Sequence, residues 1–143
     1  MIKKTDLRIG NIVHSTRNSP NVHIEVCEIG RSGLLGKSIG TIHVEYASFS
    51  YSDLHGINLT ETDLLEQYGF EVRSRVDLSS NYDFWCSNGA FDIRIINGRT
   101  TVYLSVGGAR IIQDNIKCIH QLQNAYYCYV GKELKKVNIK KEA

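Results

Sequence analysis

The sequence contains few of the residues that mark disulfide-rich, metal-binding or membrane-spanning proteins. Of its 143 residues, four are cysteine, one is proline and one is tryptophan. The cysteines form no C-x-x-C pair, and their spacing matches neither a zinc finger nor a disulfide framework. No apolar run approaches the roughly 20 residues that a membrane-spanning helix needs, and no apolar stretch follows the charged N-terminus. We therefore expect a cytoplasmic protein with reduced thiols, no signal peptide and no membrane partner.

Composition and charge are those of a soluble globular protein. Hydrophobic residues make up 42% of the chain and charged residues 22%. The net charge of +2 is too small to predict a polyanionic partner. Residues 72–143 hold eleven basic and six acidic side chains, but five of the eleven lie in the last twelve residues. This distribution favours a solvated basic tail over a nucleic-acid face.

The motifs of phosphate-binding loops and of zinc proteases are missing. The segment Gly30–Ser38 resembles a phosphate-binding loop, but Arg31 occupies the position where the motif requires its first glycine. No H-E-x-x-H motif occurs. Cys118 and His120 are two positions apart on a predicted helix, which directs their side chains about 200° apart. We therefore expect no enzyme, no catalytic residue and no cofactor.

The first part of the chain predicts antiparallel strands. Apolar and polar residues alternate over 21–29 and again over 41–49, and a glycine-rich loop separates the two segments. Pairing the two strands about Leu34 places His23 opposite Glu45 and Glu25 opposite His43. The four side chains could alternatively hold zinc, but opposite cross-strand charges explain the pattern sufficiently, so we expect no metal.

Helices and a meander are predicted for the remainder. Thr60 is the expected N-cap of a helix that ends at Gly69. Strands follow at 82–86, 91–96, 99–106 and 109–112, with a tight turn at Asn97-Gly98. A last helix over 115–130 carries an apolar stripe and ends at Gly131. The members of the stripe are Ile116, Ile119, Leu122, Tyr126 and Tyr129.

These elements predict the α+β class and a single domain over residues 1–143. A strand-rich part (1–56) is followed by a helix-meander-helix part (57–131) and a basic tail (132–143). The N-terminal antiparallel strands form either an open sheet or a small SH3-like barrel. The polar stretch Arg73–Ser80 is expected to be a loop.

Two groups of side chains are candidates for binding. On the last helix, Tyr127 adjoins a polar run and is a candidate contact residue for a partner. The residues grouped with it are His120, Gln123 and Asn124. A second group consists of arginines near the meander hairpin, which with neighbouring aromatic residues suit an anion. This group is Arg94, Arg99, Arg73 and Arg75.

Three blocks of the chain resemble a known family. The blocks are Leu7–Val13, Ile57–Phe70 and Ile119–Tyr126, the last followed by Gly131–Leu134. In this order they resemble a family of small proteins of unassigned activity from Bacteroidetes genomes, their mobile elements and their phages. The resemblance implies a phage or mobile-element context, and a role for the segment His120–Asn124 beyond helix formation.

Three functions remain open from the sequence. The first is a non-catalytic binding protein that acts on a host protein. The second is a protein that sequesters a small anionic or nucleotide ligand, as an anti-defence protein does. The third is a nucleic-acid-binding regulator that uses the basic second half. Self-association into a homo-oligomer is compatible with either binder.

Overall fold

The computed structural model describes residues 2–16, 22–39, 44–78, 81–104 and 110–136. Within these residues the chain forms two five-stranded antiparallel sheets and one α-helix. This architecture confirms the predicted α+β class. The chain divides into two compact units, of which the first contains Met1–Asn58 and Cys118–Asn124 and the second contains Leu59–Lys117 and Ala125–Ala143.

The first unit contains one sheet. Its strands are β1 (Ile12–Ser15), β2 (His23–Ile29), β3 (Gly33–Ile39), β4 (Tyr46–Ser50) and β5 (Leu54–His55). Their order across the sheet is β4-β3-β2-β1-β5, and a 3₁₀ turn at Tyr51–Asp53 joins β4 to β5. The core of this unit consists of buried apolar side chains, each of which contributes about 1.5–3 kcal/mol by its burial. They are Ile2, Leu7, Val13, Ile24, Val26, Leu34, Phe49 and Leu54.

Strand β3 corrects the predicted pairing in the first unit. The glycine-rich segment after β2 is a strand and not a loop, so His23 pairs with Ile39 and Glu25 with Lys37. The expected pairing of His23 with Glu45 is therefore wrong, and His43 lies outside the described residues.

Close packing explains a glycine within β3. A Cβ on Gly36 would lie 2.3 Å from Cγ2 of Ile24 and 3.2 Å from Cε2 of Phe49. Both neighbours belong to the core of the first unit. This glycine therefore marks a close approach of side chains within a sheet, and not a break between strands.

The second unit contains the other sheet. Its strands are β6 (Glu71–Leu78), β7 (Asn81–Ser87), β8 (Phe91–Ile96), β9 (Arg99–Leu104) and β10 (Arg110–Asp114), and they lie in the order β10-β9-β8-β7-β6. The last four confirm the predicted meander. Asn97 (φ 49°) and Gly98 (φ 84°) both have positive φ, as a type I′ turn requires. The side chain of Asn97 also accepts a hydrogen bond of 2.9 Å from the backbone N–H of Tyr82.

Strand β6 corrects the prediction of a loop at Arg73–Ser80. Residues Glu71–Leu78 pair antiparallel with β7, with a bulge between Val72 and Ser74. The described part of the predicted loop is thus an edge strand, and residues 79 and 80 lie outside the described residues. Charged side chains on an edge strand discourage pairing with other chains. Here they also interrupt the alternation of apolar and polar residues, so the sequence pattern does not indicate a strand.

The predicted helix before β6 is a short helical segment with a π-helical turn at Asp63–Gln67. Thr60 and Asp63 form a reciprocal cap, in which Oγ1 of Thr60 accepts from the backbone N–H of Asp63 at 3.2 Å and Oδ2 of Asp63 accepts from the backbone N–H of Thr60 at 3.1 Å. At the other end, Gly69 has φ 73° and the N–H of Phe70 donates to the carbonyl of Leu64 at 3.0 Å. Both predicted ends are therefore confirmed.

Helix α1 (Ile119–Val130) begins later than predicted. Asn115 has φ 59°, a left-handed conformation that a right-handed helix does not contain. Gly131 has φ 77° and donates to the carbonyl of Tyr127 at 3.0 Å, which confirms the predicted end. Tyr129 is 53% exposed, so its assignment to the apolar stripe is wrong.

The segment that follows α1 is partly buried. Leu134 is buried, so the predicted basic tail is not solvated along its whole described part, and residues 137–143 lie outside it. No helix among the described residues has the length and apolar character needed to cross a membrane.

Candidate binding face

One face of the second sheet presents side chains to solvent along β7, β8 and β9. Side chains alternate between the two faces of a strand, so the register of the sheet decides which residues share a face. Trp85 lies opposite Arg94, Asp92 opposite Tyr103, and Asp83 opposite Ile96. We call the surface formed by the following residues the open face: Asp83, Trp85, Asp92, Arg94, Ile96, Arg99, Thr101 and Tyr103.

The other face of the same strands is buried. Its side chains are Phe84, Cys86, Phe91, Ile93 and Val102, none of them exposed. On this side the ring of Phe91 makes an edge contact with Tyr126 of α1, with 5.0 Å between ring centroids. Burial raises the pKa of the Cys86 thiol to about 12, so this thiol stays protonated. The contrast between the two faces sets the open face apart as the one available for contacts.

A shallow depression lies on the open face. It is lined by Trp85, Asp92, Arg94 and Tyr103 and has a volume of about 180 Å³. The indole of Trp85 is 42% exposed, and Ile96 on the neighbouring strand is also exposed. Large apolar side chains in solvent on one sheet face mark a surface that can be covered by another molecule.

An ion pair fixes the position of the arginine in this depression. Nε and Nη2 of Arg94 donate to the two carboxylate oxygens of Asp83, at 3.1 and 2.6 Å. This hydrogen bonding lowers the pKa of Asp83 and raises that of Arg94. Two parallel hydrogen bonds restrict the guanidinium plane. Arg94 is therefore held in one orientation beside Trp85.

The structure does not bring the four predicted anion-binding arginines together. Arg94 and Arg99 share the open face. Arg75 pairs with Phe84, so it lies on the opposite face, where its guanidinium carbon is 5.1 Å from the centroid of the Phe84 ring. Arg73 lies in the bulge of β6. The expectation of one arginine cluster is therefore wrong. Arg75 pairs with Phe84 and Arg94 pairs with the next residue, Trp85, and successive residues of a strand lie on opposite faces of the sheet.

Two of the polar residues predicted as contacts on α1 instead make hydrogen bonds within the first unit. Gln123 is 3% exposed; its Oε1 accepts from the backbone N–H of Ile12 at 2.9 Å, and its Nε2 donates to the carbonyl of Gly10 at 3.2 Å. The amide of Asn124 accepts from the side chain of Asn11 at 2.8 Å and donates to the carbonyl of Asp6 at 2.9 Å. The bonds of Gln123 satisfy a buried backbone N–H and a backbone carbonyl of the first unit, and those of Asn124 engage the side chain of Asn11 and the carbonyl of Asp6.

Exposure divides the predicted contact residues of α1. His120 is 5% exposed and Tyr127 is 45% exposed. A contact surface formed by all four residues is therefore wrong, and Tyr127 alone among them keeps a largely exposed side chain. The residue that sequence reasoning did not connect with this group is Ile96, although its alternation with the buried positions of β8 is the signal that places it on the same face as Trp85.

No group of three or more histidine, cysteine, aspartate or glutamate side chains is arranged to hold a metal ion in the part of the chain that the structure describes. None of the four cysteines, all within that part, is in a disulfide. Comparison of the chain with protein-family models, with curated proteins and with solved structures gives no match.

Proposed function

We propose that this is a non-catalytic binding protein that uses the open face to contact another protein. The observation that carries the proposal is the exposed indole of Trp85 beside a fixed Arg94 and Tyr103 in one depression. Tryptophan, tyrosine and arginine are the residues that supply most of the binding energy at protein interfaces. A rigid sheet that presents them needs little ordering when a partner binds.

The charges of the open face favour a protein over a nucleic acid. Its two arginines are accompanied by two aspartates, and one arginine is already paired with one of them. Binding to a phosphate backbone requires a surplus of basic side chains. This balance supports the protein-binding proposal over the nucleic-acid-binding regulator.

The size of the depression favours a protein over a small ligand. Its volume of about 180 Å³ is below the roughly 300–1,000 Å³ typical of small-molecule sites. It has room for a single side chain from a partner, such as an aromatic ring stacked on Trp85. This supports the protein-binding proposal over sequestration of a small anionic or nucleotide ligand.

The biological context of the proposal rests on the family resemblance. Proteins of phages and mobile elements act within a host cell, so the proposed partner is a host protein in the cytoplasm. A second copy of this chain is the alternative protein partner. The capture experiment below separates the two, since a homo-oligomer retains the chain itself.

We propose in addition that the first unit is a small SH3-like barrel. The sheet order β5-β1-β2-β3-β4 and the 3₁₀ turn between β4 and β5 support this topology. Its role would be that of a scaffold, because its polar side chains on α1 are engaged in holding the backbone of β1 and the segment before it. A crystal structure with a closed barrel supports the proposal, and one with an open sheet contradicts it.

The protein-binding proposal is tested by capture on immobilised protein. Wild-type chain, Trp85→Ala and Tyr129→Ala are incubated with nuclease-treated lysate of the organism that encodes the chain, and retained proteins are quantified by mass spectrometry. Tyr129 is a matched control, since it is an exposed aromatic residue outside the open face. We expect a protein that wild type and Tyr129→Ala retain and that Trp85→Ala loses by at least about tenfold, as for an interface anchor. Equal retention by Trp85→Ala contradicts the proposal.

A further inference from the structure

The side chains of Cys118 and His120 both approach Gly56 in the first unit. A Cβ on Gly56 would lie 2.5 Å from Sγ of Cys118 and 2.8 Å from Cε1 of His120. A side chain larger than that of glycine would require these two groups to shift. The thiol and the edge of the imidazole ring therefore both border the space that a side chain at Gly56 would occupy.

The position of Cys118 explains why the separation of about 200° expected for two residues of one helix does not apply to Cys118 and His120. A helix directs residues two apart to different sides, but α1 begins at Ile119, one residue after Cys118. Cys118 instead forms a bridge with Asn58, and its backbone N–H donates to Oε1 of Gln121 at 3.0 Å.

The second observation is a buried imidazole nitrogen without a partner. His120 is 5% exposed, and its Nδ1 is buried and makes no hydrogen bond to any described residue. Buried polar atoms without partners are rare and often mark functional sites. Nδ1 is bonded to Cε1, the atom that faces the Gly56 position beside the thiol. Burial lowers the pKa of His120, although Asp6 opposes this shift, and this favours the neutral imidazole, which has a nitrogen lone pair.

We propose that Cys118 is a nucleophilic thiol activated by His120, and that it is a modification site for small uncharged electrophiles. The imidazole takes the thiol proton, the thiolate sulfur attacks the electrophilic carbon, an S–C bond forms and the leaving group departs with its electron pair. Cys118 is half-buried and His120 is 5% exposed, which restricts the site to small reagents. This inference concerns the first unit and is independent of the open face.

The experiment uses the folded, full-length chain and iodoacetamide, a small uncharged alkylating reagent. The rate of alkylation of each cysteine at pH 7 is measured by mass spectrometry of peptides. Cys128 is the internal control, because it is exposed. We expect Cys118 to react at least about tenfold faster than Cys128 despite its lower exposure, because a positioned base assists it. A rate for Cys118 at or below that of Cys128 overturns the proposal.

A variant separates activation by His120 from simple access. In His120→Asn we expect alkylation of Cys118 to slow by at least about tenfold while that of Cys128 is unchanged. An unchanged rate for Cys118 in a folded His120→Asn protein overturns the proposal. If the variant does not fold, as judged by circular dichroism, the comparison of the two cysteines in wild type decides alone.

Discussion

Arg94 and Asp83, on neighbouring strands of the second sheet, are joined by two parallel hydrogen bonds of 3.1 and 2.6 Å. The pair lies on the open face, directly beside the indole of Trp85. Its effect is to restrict an arginine that would otherwise sample many rotamers in solvent. The proposed binding depends on this orientation, because a pre-positioned guanidinium loses little conformational freedom when a partner is bound.

The ion pair with Arg94 is expected to change the titration of Asp83. We expect the carboxyl group of Asp83 to titrate below its ordinary pKa of 3.8, since its hydrogen bonds to Arg94 favour the charged form. A pKa lowered in the folded chain means that the pair stabilises the fold above that range and is lost as pH falls through the lowered value. Carboxyl-detected NMR measures the midpoint, and Arg94→Ala should return it toward 3.8. A midpoint at or above 3.8 in wild type would show that the pair does not form in solution.

Two residues of α1 should differ sharply in their effect on stability. Gln123→Ala leaves the N–H of Ile12 and the carbonyl of Gly10 without their side-chain partner, so we expect it to lower the free energy of unfolding by about 1–3 kcal/mol. Tyr127→Ala removes a largely exposed ring and should change it by less than about 0.5 kcal/mol. Urea unfolding of both variants tests this contrast. Equal effects would contradict the structural role given to Gln123.

The reciprocal cap before β6 is open to a simple test. Thr60→Ala removes the oxygen that accepts from the N–H of Asp63, and we expect a loss of about 1 kcal/mol. Thr60→Ser keeps a hydroxyl group at the same position and serves as the matched control. Thermal unfolding of the two variants gives the difference. A Thr60→Ala protein as stable as Thr60→Ser would mean that the cap contributes nothing.

Packing at β3 provides a test of the corrected strand register. Gly36→Ala places a methyl group against Ile24 and Phe49, and we expect a destabilisation of about 1–3 kcal/mol from overpacking. Ile24→Ala removes the methyl group that the new side chain would meet, so the double variant should lose less than the sum of the two single changes. Strict additivity would indicate that β3 does not pack on Ile24.

Local backbone features were predictable because few residues determine them. The positive φ values of Asn97 and Gly98, and the helix end at Gly131, follow from side chains that tolerate a left-handed conformation. The cap at Thr60 follows likewise from a short-range pair of hydrogen bonds. Each feature is formed by residues close together in the chain, and the structure confirms each.

Features that depend on distant residues were not predictable from local patterns. Strand β3 is rich in glycine and β6 in charged residues, and each is a strand because a neighbouring strand pairs with it. The burial of Gln123 depends on backbone groups at Gly10 and Ile12, more than a hundred residues earlier. The sequence indicated aromatic residues near the arginines, but the register of three strands was needed to place Trp85 and Tyr103 with Arg94 and Asp92.

The proposed contact through the open face can be measured directly, because Trp85 is the one tryptophan of the chain. Its fluorescence therefore reports on this face alone. The protein captured on immobilised wild type is purified and added, its own emission is subtracted, and quenching of Trp85 by acrylamide is followed. We expect the emission of Trp85 to shift to shorter wavelength and its quenching to decrease as the indole is covered. A complex that forms with the emission and quenching of Trp85 unchanged would contradict it.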